Sequence, residues 1–134
     1  MRKLTVLFAC VENSFRSQIS EGIARKYFSD RIDPYSAGSK PSGKIHPNAV
    51  KVLEEIGIDS SKQYSKGFTD LEETEFDYLV TMGCGEVCPF VPSEKQLSWE
   101  LPDIKNNPLE DIRELRDTIK RKIETEILED AYEE

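Results

Sequence analysis

Two kinds of apolar pattern alternate along the chain. The first segment, Leu4 to Cys10, is a nearly continuous apolar run with β-branched residues, which is typical of a strand buried on both faces. After a short loop, apolar residues recur at every fourth position among charged ones, which predicts an amphipathic helix. Those apolar residues are Phe15, Ile19, Ile23 and Tyr27.

Both patterns return in the rest of the chain. Three more short strands are predicted, at 34–38, 76–82 and 96–99. A second helix is predicted to start at Pro47 and to end near Gly57, because proline is favoured at the first helical position and glycine just beyond the last. Asn107 is the predicted N-cap of a final helix, whose apolar face has five members. They are Ile112, Leu115, Ile119, Ile123 and Ile127.

Strands that alternate with helices predict an α/β fold, in which helices cover a parallel sheet. The length of 134 residues and the lack of a linker or repeat predict one domain over residues 1–134. Parallel sheets bind their ligands at the carboxyl ends of the strands. Cys10 ends the first predicted strand and Cys84 follows the third, so we expect both cysteines at one crevice.

Charge and composition narrow the classes of function. The chain has 18 Lys and Arg against 26 Asp and Glu, and the net charge of −8 argues against binding to nucleic acid or to an anionic membrane. The longest apolar stretch is too short to span a bilayer and no cleavage site follows it, so we expect neither a membrane span nor a signal peptide. Three cysteines are typical of a protein of the reducing cytoplasm, and the single histidine, His46, excludes a multi-histidine metal site.

The segment from Cys10 to Ser17 carries the strongest chemical pattern. Its cysteine follows a buried strand and its arginine begins a helix, so the N–H groups of the loop between them can turn inward around a tetrahedral anion. That environment favours the thiolate form of Cys10, which is the nucleophilic form. Arg16 offers two planar donors to the anion, and Ser17 can donate a hydrogen bond to the sulfur. The predicted oxyanion-binding loop comprises Val11, Glu12, Asn13, Ser14, Phe15 and Arg16.

Cys84 and Cys88 are separated by three residues. That spacing is compatible with a reversible dithiol, half of a zinc site or two buried structural cysteines. We favour the dithiol, because the glycines at 83 and 85 ease the local unwinding that a disulfide across one helical turn requires.

A leaving oxygen requires a proton donor over the loop, and the candidates before the last helix are Glu100 and Asp103. His46 stands next to Pro47 and is expected to begin a helix, not to act in catalysis.

Together these motifs resemble the arsenate reductases of the low-molecular-weight protein tyrosine phosphatase-like family, whose well-studied members are coupled to thioredoxin. The resemblance covers nearly the whole chain. It is carried by Cys10-x-x-Asn13-Ser14-x-Arg16-Ser17-Gln18 with Glu21-Gly22, by Tyr35-Ser36-Ala37-Gly38, by Pro47-Asn48-Ala49, by Val80-Thr81-Met82 to Cys88-Pro89, and by Trp99-x-x-x-Asp103.

The resemblance implies a three-layer α/β sandwich with a four-stranded parallel sheet of flavodoxin-like topology. It also implies that Cys10 attacks arsenate while Asp103, rather than Glu100, protonates the departing oxygen. Cys84 and then Cys88 would resolve the adduct through successive disulfides. Phosphate and sulfate are expected to compete with arsenate, thioredoxin or a low-molecular-weight thiol is the expected reductant, and we expect a monomer without a cofactor.

Some members of that family bind a potassium ion through residues that match Asn13, Glu21 and Ser36. A further acid of their site falls near Lys66 in this chain. The ammonium group of Lys66 can take the place of the ion, so we predict that no metal is bound.

Two other functions fit part of the pattern. A phosphatase acting on phosphotyrosine or small phosphomonoesters would use Cys10, Arg16 and Asp103 in the same way, with water resolving the adduct. A phosphocysteine carrier would use the same loop, but it would not need a general acid.

Overall fold

The computed structural model describes residues 3–61, 63–72, 75–82 and 91–132. The strands are β1 (Leu4–Cys10), β2 (Ile32–Gly38), β3 (Phe76–Thr81) and β4 (Ser93–Ser98). The helices are α1 (Arg16–Tyr27), α2 (Pro47–Glu54), α3 (Leu109–Lys122) and α4 (Glu129–Tyr132), with a 3-10 turn at Phe68–Asp70 and a π turn at Ile123–Leu128 that joins α3 to α4.

The four strands form one sheet in the order β2-β1-β3-β4, and each neighbouring pair is parallel. β1 is central and its residues 6–9 are fully buried, which explains its unbroken apolar pattern. β2 is an edge strand with a neighbour on one side only. It therefore accommodates Pro34, which has no N–H group to donate to a second neighbouring strand. The predicted α/β fold with a four-stranded parallel sheet is confirmed. Its register sets Cys10 beside Gly38 at the carboxyl ends of β1 and β2.

The larger core lies between one face of the sheet and the helices α1, α2 and α3. The predicted apolar face of the last helix is correct, since all five of its members are buried there. The core on the opposite face of the sheet is smaller. It packs against Phe68, Leu71 and Val91, which belong to the 3-10 turn and the connecting chain. Within the described ranges, no helix is long and apolar enough to cross a membrane.

Two predicted details are wrong, at Tyr27 and at Asn107, and one is confirmed, at Gly57. Tyr27 is 36% exposed at the end of α1, because the helix there has passed the edge of the core. The second helix stops at Gly57 as predicted: a turn of three residues follows Glu54, and Gly57 has the left-handed φ of 79° of a glycine that ends a helix. Its N–H donates to the Glu54 carbonyl at 3.0 Å, and the N–H of Ile58 donates to the Leu53 carbonyl at 2.9 Å. At α3 the N-cap is Pro108, and the neighbouring Asn107 donates to the side chain of Asp111 instead of capping the backbone.

Candidate active site

The loop after β1 directs its carbonyl groups away from the space that it surrounds. Each of four consecutive carbonyl oxygens, from Val11 to Ser14, accepts a hydrogen bond from a group outside the loop. The backbone N–H of Lys40 donates to the Val11 carbonyl at 2.8 Å, and that of Ser42 donates to the Glu12 carbonyl at 3.0 Å. The Nε2 atom of Gln18 donates to the Asn13 carbonyl at 3.1 Å, and the backbone N–H of His46 donates to the Ser14 carbonyl at 2.8 Å. In a trans peptide the C=O and the following N–H point in opposite directions, so the N–H groups of this loop point inward.

A cavity of about 290 Å³ lies within that loop. Its lining brings together residues from the end of β1, the start of α1 and the segment before α3. They are Cys10, Val11, Glu12, Ser14, Phe15, Arg16, Asp103 and Lys105. Inward N–H groups, two cationic side chains and a helix N-terminus make this cavity suitable for a small oxyanion.

Cys10 is buried at the floor of the site, and its Sγ atom lies 2.8 Å from the Oγ atom of Ser17. The Nδ2 atom of Asn13 donates to the same Oγ atom, also at 2.8 Å. Because that oxygen already accepts from Asn13, its own proton is available for the sulfur. When Cys10 is a thiolate it has no proton, so the Ser17 hydroxyl is the donor in this contact, and a donor of this kind favours the thiolate.

Asn13 does not line the cavity but holds the loop in shape. It is fully buried and has a φ of 51°, in the left-handed region that asparagine tolerates. Its Oδ1 atom accepts from the Nε2 atom of Gln18 at 2.9 Å and from the backbone N–H of Lys66 at 2.9 Å. One side chain thus joins the loop of residues 11–15, called the nucleophile loop after the predicted nucleophile Cys10, to α1 and to the chain before the 3-10 turn.

Behind the loop, a buried ion pair joins Lys66 to Glu21. Their side chains are only 10% and 6% exposed, and Lys66 Nζ lies 3.4 Å from Glu21 Oε1. The same ammonium donates to Ser36 Oγ and to the carbonyl oxygen of Tyr64, each at 3.2 Å. Glu21 also accepts from Ser36 and forms an ion pair with Arg25 at 3.0 Å. The ammonium of Lys66 is therefore surrounded by oxygen atoms of Glu21, Ser36 and Tyr64. This is the position at which the sequence predicts that Lys66 takes the place of a potassium ion.

The acid-bearing segment is held over the cavity by contacts at several points. Trp99 is buried, and its Nε1 atom donates to Glu126 Oε1 at 3.2 Å. The carbonyl oxygen of Leu101 accepts from Arg16 Nη1 at 2.9 Å. Of the two predicted acids, Asp103 lines the cavity, whereas Glu100 is exposed and does not.

Lys105 is a residue of the site that the sequence reasoning missed. Its Nζ atom lies 3.0 Å from Glu12 Oε2 and 3.7 Å from Asp103 Oδ2. The hydrogen bond that Lys105 donates to Glu12, followed by the charges of Asp103 and Glu12, raises the pKa of Lys105 against the opposing effect of burial. A lysine two positions after the candidate acid, in a protein expected to bind an anion, was the available signal in the sequence.

The sequence singled out three further residues, Cys84, Cys88 and His46. Cys84 and Cys88 lie outside the described residues. His46 begins α2 as expected, and its Nδ1 atom accepts from the N–H of Asn48 at 3.1 Å. Among the residues that the structure describes, no three His, Cys, Asp or Glu side chains form a group that could hold a metal ion.

Residues 5–130 match the family described as low molecular weight phosphotyrosine protein phosphatase. The chain belongs to that family. Among its curated members, an arsenate reductase of Halalkalibacterium halodurans is 39% identical, and the alignment covers 93% of this chain and 96% of that protein. A glutaredoxin arsenate reductase of Synechocystis sp. is 34% identical over 89% of this chain and 92% of its own length.

Solved structures titled as arsenate reductases share the fold. One titled "An arsenate reductase in the phosphate binding state" superposes with a TM-score of 0.82 at 32% identity, covering 96% of this chain and 98% of that one. A thioredoxin-dependent arsenate reductase of Corynebacterium glutamicum has a TM-score of 0.73 at 34% identity, over 92% of this chain and 61% of that one.

Proposed function

We propose that this chain is an arsenate reductase that acts through a relay of Cys10, Cys84 and Cys88. The observation that carries the proposal is the cavity in which Cys10, Arg16 and Asp103 meet. Curated family members that bear the name arsenate reductase, at 34–40% identity, support the choice of substrate. A related arsenate reductase is described in a phosphate-binding state, which supports a tetrahedral oxyanion as the ligand.

The first step is attack of the Cys10 thiolate on arsenic. A sulfur–arsenic bond forms and an arsenic–oxygen bond breaks, with Asp103 giving its proton to the departing oxygen, which leaves as water. Arg16 binds two oxygens of the anion and stabilises the charge that builds up on them. The N–H groups of the oxyanion-binding loop, Val11 to Arg16, stabilise the same charge, and Ser17 orients the sulfur.

The second step reduces the arsenic. The Cys84 thiolate attacks the sulfur of Cys10, the sulfur–arsenic electron pair stays on arsenic, and arsenite leaves as As(III). The Cys10–Cys84 disulfide is then attacked by Cys88, which frees the Cys10 thiolate and leaves a Cys84–Cys88 disulfide. An external dithiol or thiol reduces that disulfide and completes the cycle.

The reductant is proposed to be thioredoxin, with a low-molecular-weight thiol system as the alternative. One structural relative carries thioredoxin dependence in its title, and one curated relative is named a glutaredoxin arsenate reductase. Either reductant operates in the cytoplasm, where we place the protein as a monomer. Rates of arsenate reduction with purified thioredoxin and its reductase, compared with glutaredoxin and glutathione, will identify the system.

The relay is tested with fully reduced protein, excess arsenate and no added reductant. Free thiols are counted and disulfides are mapped by mass spectrometry. We expect the loss of two thiols, one arsenite released per chain, and a Cys84–Cys88 disulfide. With Cys88→Ser the product should stop at Cys10–Cys84. Retention of all three thiols would reject the relay.

A phosphatase is the second candidate, because the family match and the same cavity serve phosphoryl transfer equally well. In a phosphatase, water would resolve the Cys10 adduct and the other two cysteines would be dispensable. Hydrolysis of p-nitrophenyl phosphate by the Cys84→Ser/Cys88→Ser variant measures this activity. Full phosphatase turnover together with no reduction of arsenate by the unmodified protein would establish the second candidate.

A further inference from the structure

The mouth of the anion cavity contains an acidic residue of the nucleophile loop. Glu12 lines the cavity, and its side chain is 47% exposed. A carboxylate in this position repels an oxyanion that carries one or two negative charges. Asp103, which lines the same cavity, adds a second carboxylate whenever it is ionised. The cavity therefore requires a compensating charge beyond the Arg16 guanidinium.

Lys105, which also lines the cavity, supplies that charge. Its ammonium lies 3.0 Å from Glu12 and 3.7 Å from Asp103, and at 27% exposure its side chain is less exposed than either partner. Its backbone is fixed by a hydrogen bond of 2.7 Å from Asn48 Nδ2, at the start of α2, to the Lys105 carbonyl oxygen. The ammonium is thus held at the mouth of the cavity by the fold and by two carboxylates.

We propose that Lys105 determines the affinity of this cavity for oxyanions by neutralising Glu12 at its mouth. Lys105 acts as a positioning and charge-compensating residue, not as a catalytic one. The assignment rests on the proposed function only in taking a tetrahedral oxyanion as the ligand. It predicts that Glu12 and Lys105 are energetically coupled, so that removing the lysine is much less harmful once the glutamate is absent.

The test measures binding of inorganic phosphate by its protection of Cys10 from iodoacetamide. Mass spectrometry of the Cys10 peptide gives the phosphate concentration at which the alkylation rate is halved, separately from any reaction at Cys84 or Cys88. For Lys105→Met we expect this concentration to rise about five- to tenfold, as for the loss of a unit charge near a bound anion. The effect should shrink as ionic strength increases, because salt screens exposed charges.

Three matched variants separate the effect of the charge at position 105 from a general change in net charge. Lys105→Arg keeps the charge and should stay within about twofold of the unmodified protein. Glu12→Gln/Lys105→Met should recover most of the affinity that Lys105→Met loses, because the carboxylate nearest to the lysine is gone. Lys51→Met, on the exposed side of α2, makes the same change in net charge away from the cavity and should have no effect. Equal shifts for Lys51→Met and Lys105→Met would overturn the proposal, and so would a double variant no better than Lys105→Met.

Arsenate reduction is measured in the same preparations, which separates the two proposals. Phosphate protection that depends on Lys105 in a protein that reduces no arsenate would support the role of Lys105 and reject the reductase. Failure of phosphate to protect Cys10 in the unmodified protein would overturn the role of Lys105.

Discussion

The guanidinium of Arg16 donates through Nη1 to the carbonyl oxygen of Leu101, 2.9 Å away. This contact joins the start of α1 to the segment that carries Asp103, so that the anion-binding side chain and the candidate acid are positioned together. Lysine cannot reproduce a planar fork that binds both a carbonyl and an oxyanion. For Arg16→Lys we expect kcat/KM for arsenate to fall by about 10²-fold. Steady-state kinetics will check this, with the exposed Arg121→Lys expected to be unchanged.

Ser17 is expected to set the reactivity of Cys10, since its Oγ atom lies 2.8 Å from the sulfur and can donate to the thiolate. Hydrogen bonds to a charged group contribute about 1.5–3 kcal/mol, so Ser17→Ala should slow alkylation of Cys10 by iodoacetamide at neutral pH by about tenfold or more. Ser20→Ala is a matched control, because Ser20 is buried one turn later on the same helix and donates to the backbone of Arg16. Equal rates for the two variants would remove Ser17 from the mechanism.

Gly38 is required by the close approach of β2 to the nucleophile loop. A Cβ atom at this position would lie 2.4 Å from the carbonyl oxygen of Val11 and 2.8 Å from the backbone nitrogen of Asn13. Gly38→Ala should therefore lower the free energy of unfolding by about 2–3 kcal/mol and weaken phosphate binding. Gly67→Ala is the control, since its nearest contact would be an ordinary 3.6 Å. Urea denaturation followed by circular dichroism measures both.

The buried pair of Lys66 and Glu21 is expected to stabilise the fold. Lys66→Met leaves the Glu21 carboxylate with Arg25 as its remaining ion-pair partner, and we expect a loss of about 3 kcal/mol in urea denaturation. Lys95→Met, whose ion pair with Asp130 is roughly 40% exposed at both ends, should cost less than about 1 kcal/mol.

If the ammonium of Lys66 replaces a bound cation, exchanging sodium chloride for potassium chloride should not change the rate of arsenate reduction. Specific activation by potassium would contradict that expectation.

The pH dependence of stability should include a contribution from Glu55. Hydrogen bonding by Arg113 is the largest effect on this carboxyl, and it lowers the pKa of Glu55 from the ordinary value of 4.5. The folded protein then binds fewer protons than the unfolded chain at intermediate pH, so the contribution is complete above the ordinary value and is lost as pH falls through the folded one. The difference in urea midpoint between the unmodified protein and Glu55→Gln should vanish on acidification. Glu54→Gln, at an exposed neighbour, serves as the control.

Local patterns in the sequence predicted most of the fold, because strands and helices reveal themselves by the spacing of their apolar residues. β1 and the buried face of α3 are examples. The loop after Cys10 was also predictable, since its residues are consecutive in the chain. Strand boundaries were less so: β2 begins two residues before the predicted start, because an edge strand tolerates Pro34 within it.

Contacts between distant parts of the chain could not be predicted in the same way. Glu12 and Lys105 are 93 positions apart, and no periodicity relates two charged residues on different loops. The hydrogen bond from Arg16 ends on a backbone carbonyl, a group that every residue possesses and that therefore leaves no trace in the sequence. The acidic residues near the C-terminus include two such long-range partners: Glu126 accepts from Trp99 and Asp130 accepts from Tyr78.

The burial of Trp99 has a practical consequence. It is the only tryptophan of the chain, it is 2% exposed, and its ring lies 6.1 Å from that of Phe8. Lys122 stands over the same ring, and Asp103 follows four residues later. Any movement of the acid-bearing segment must therefore alter the surroundings of one fluorophore. Tryptophan emission, excited selectively over the five tyrosines, is therefore a single-site optical reporter on the segment that carries Asp103.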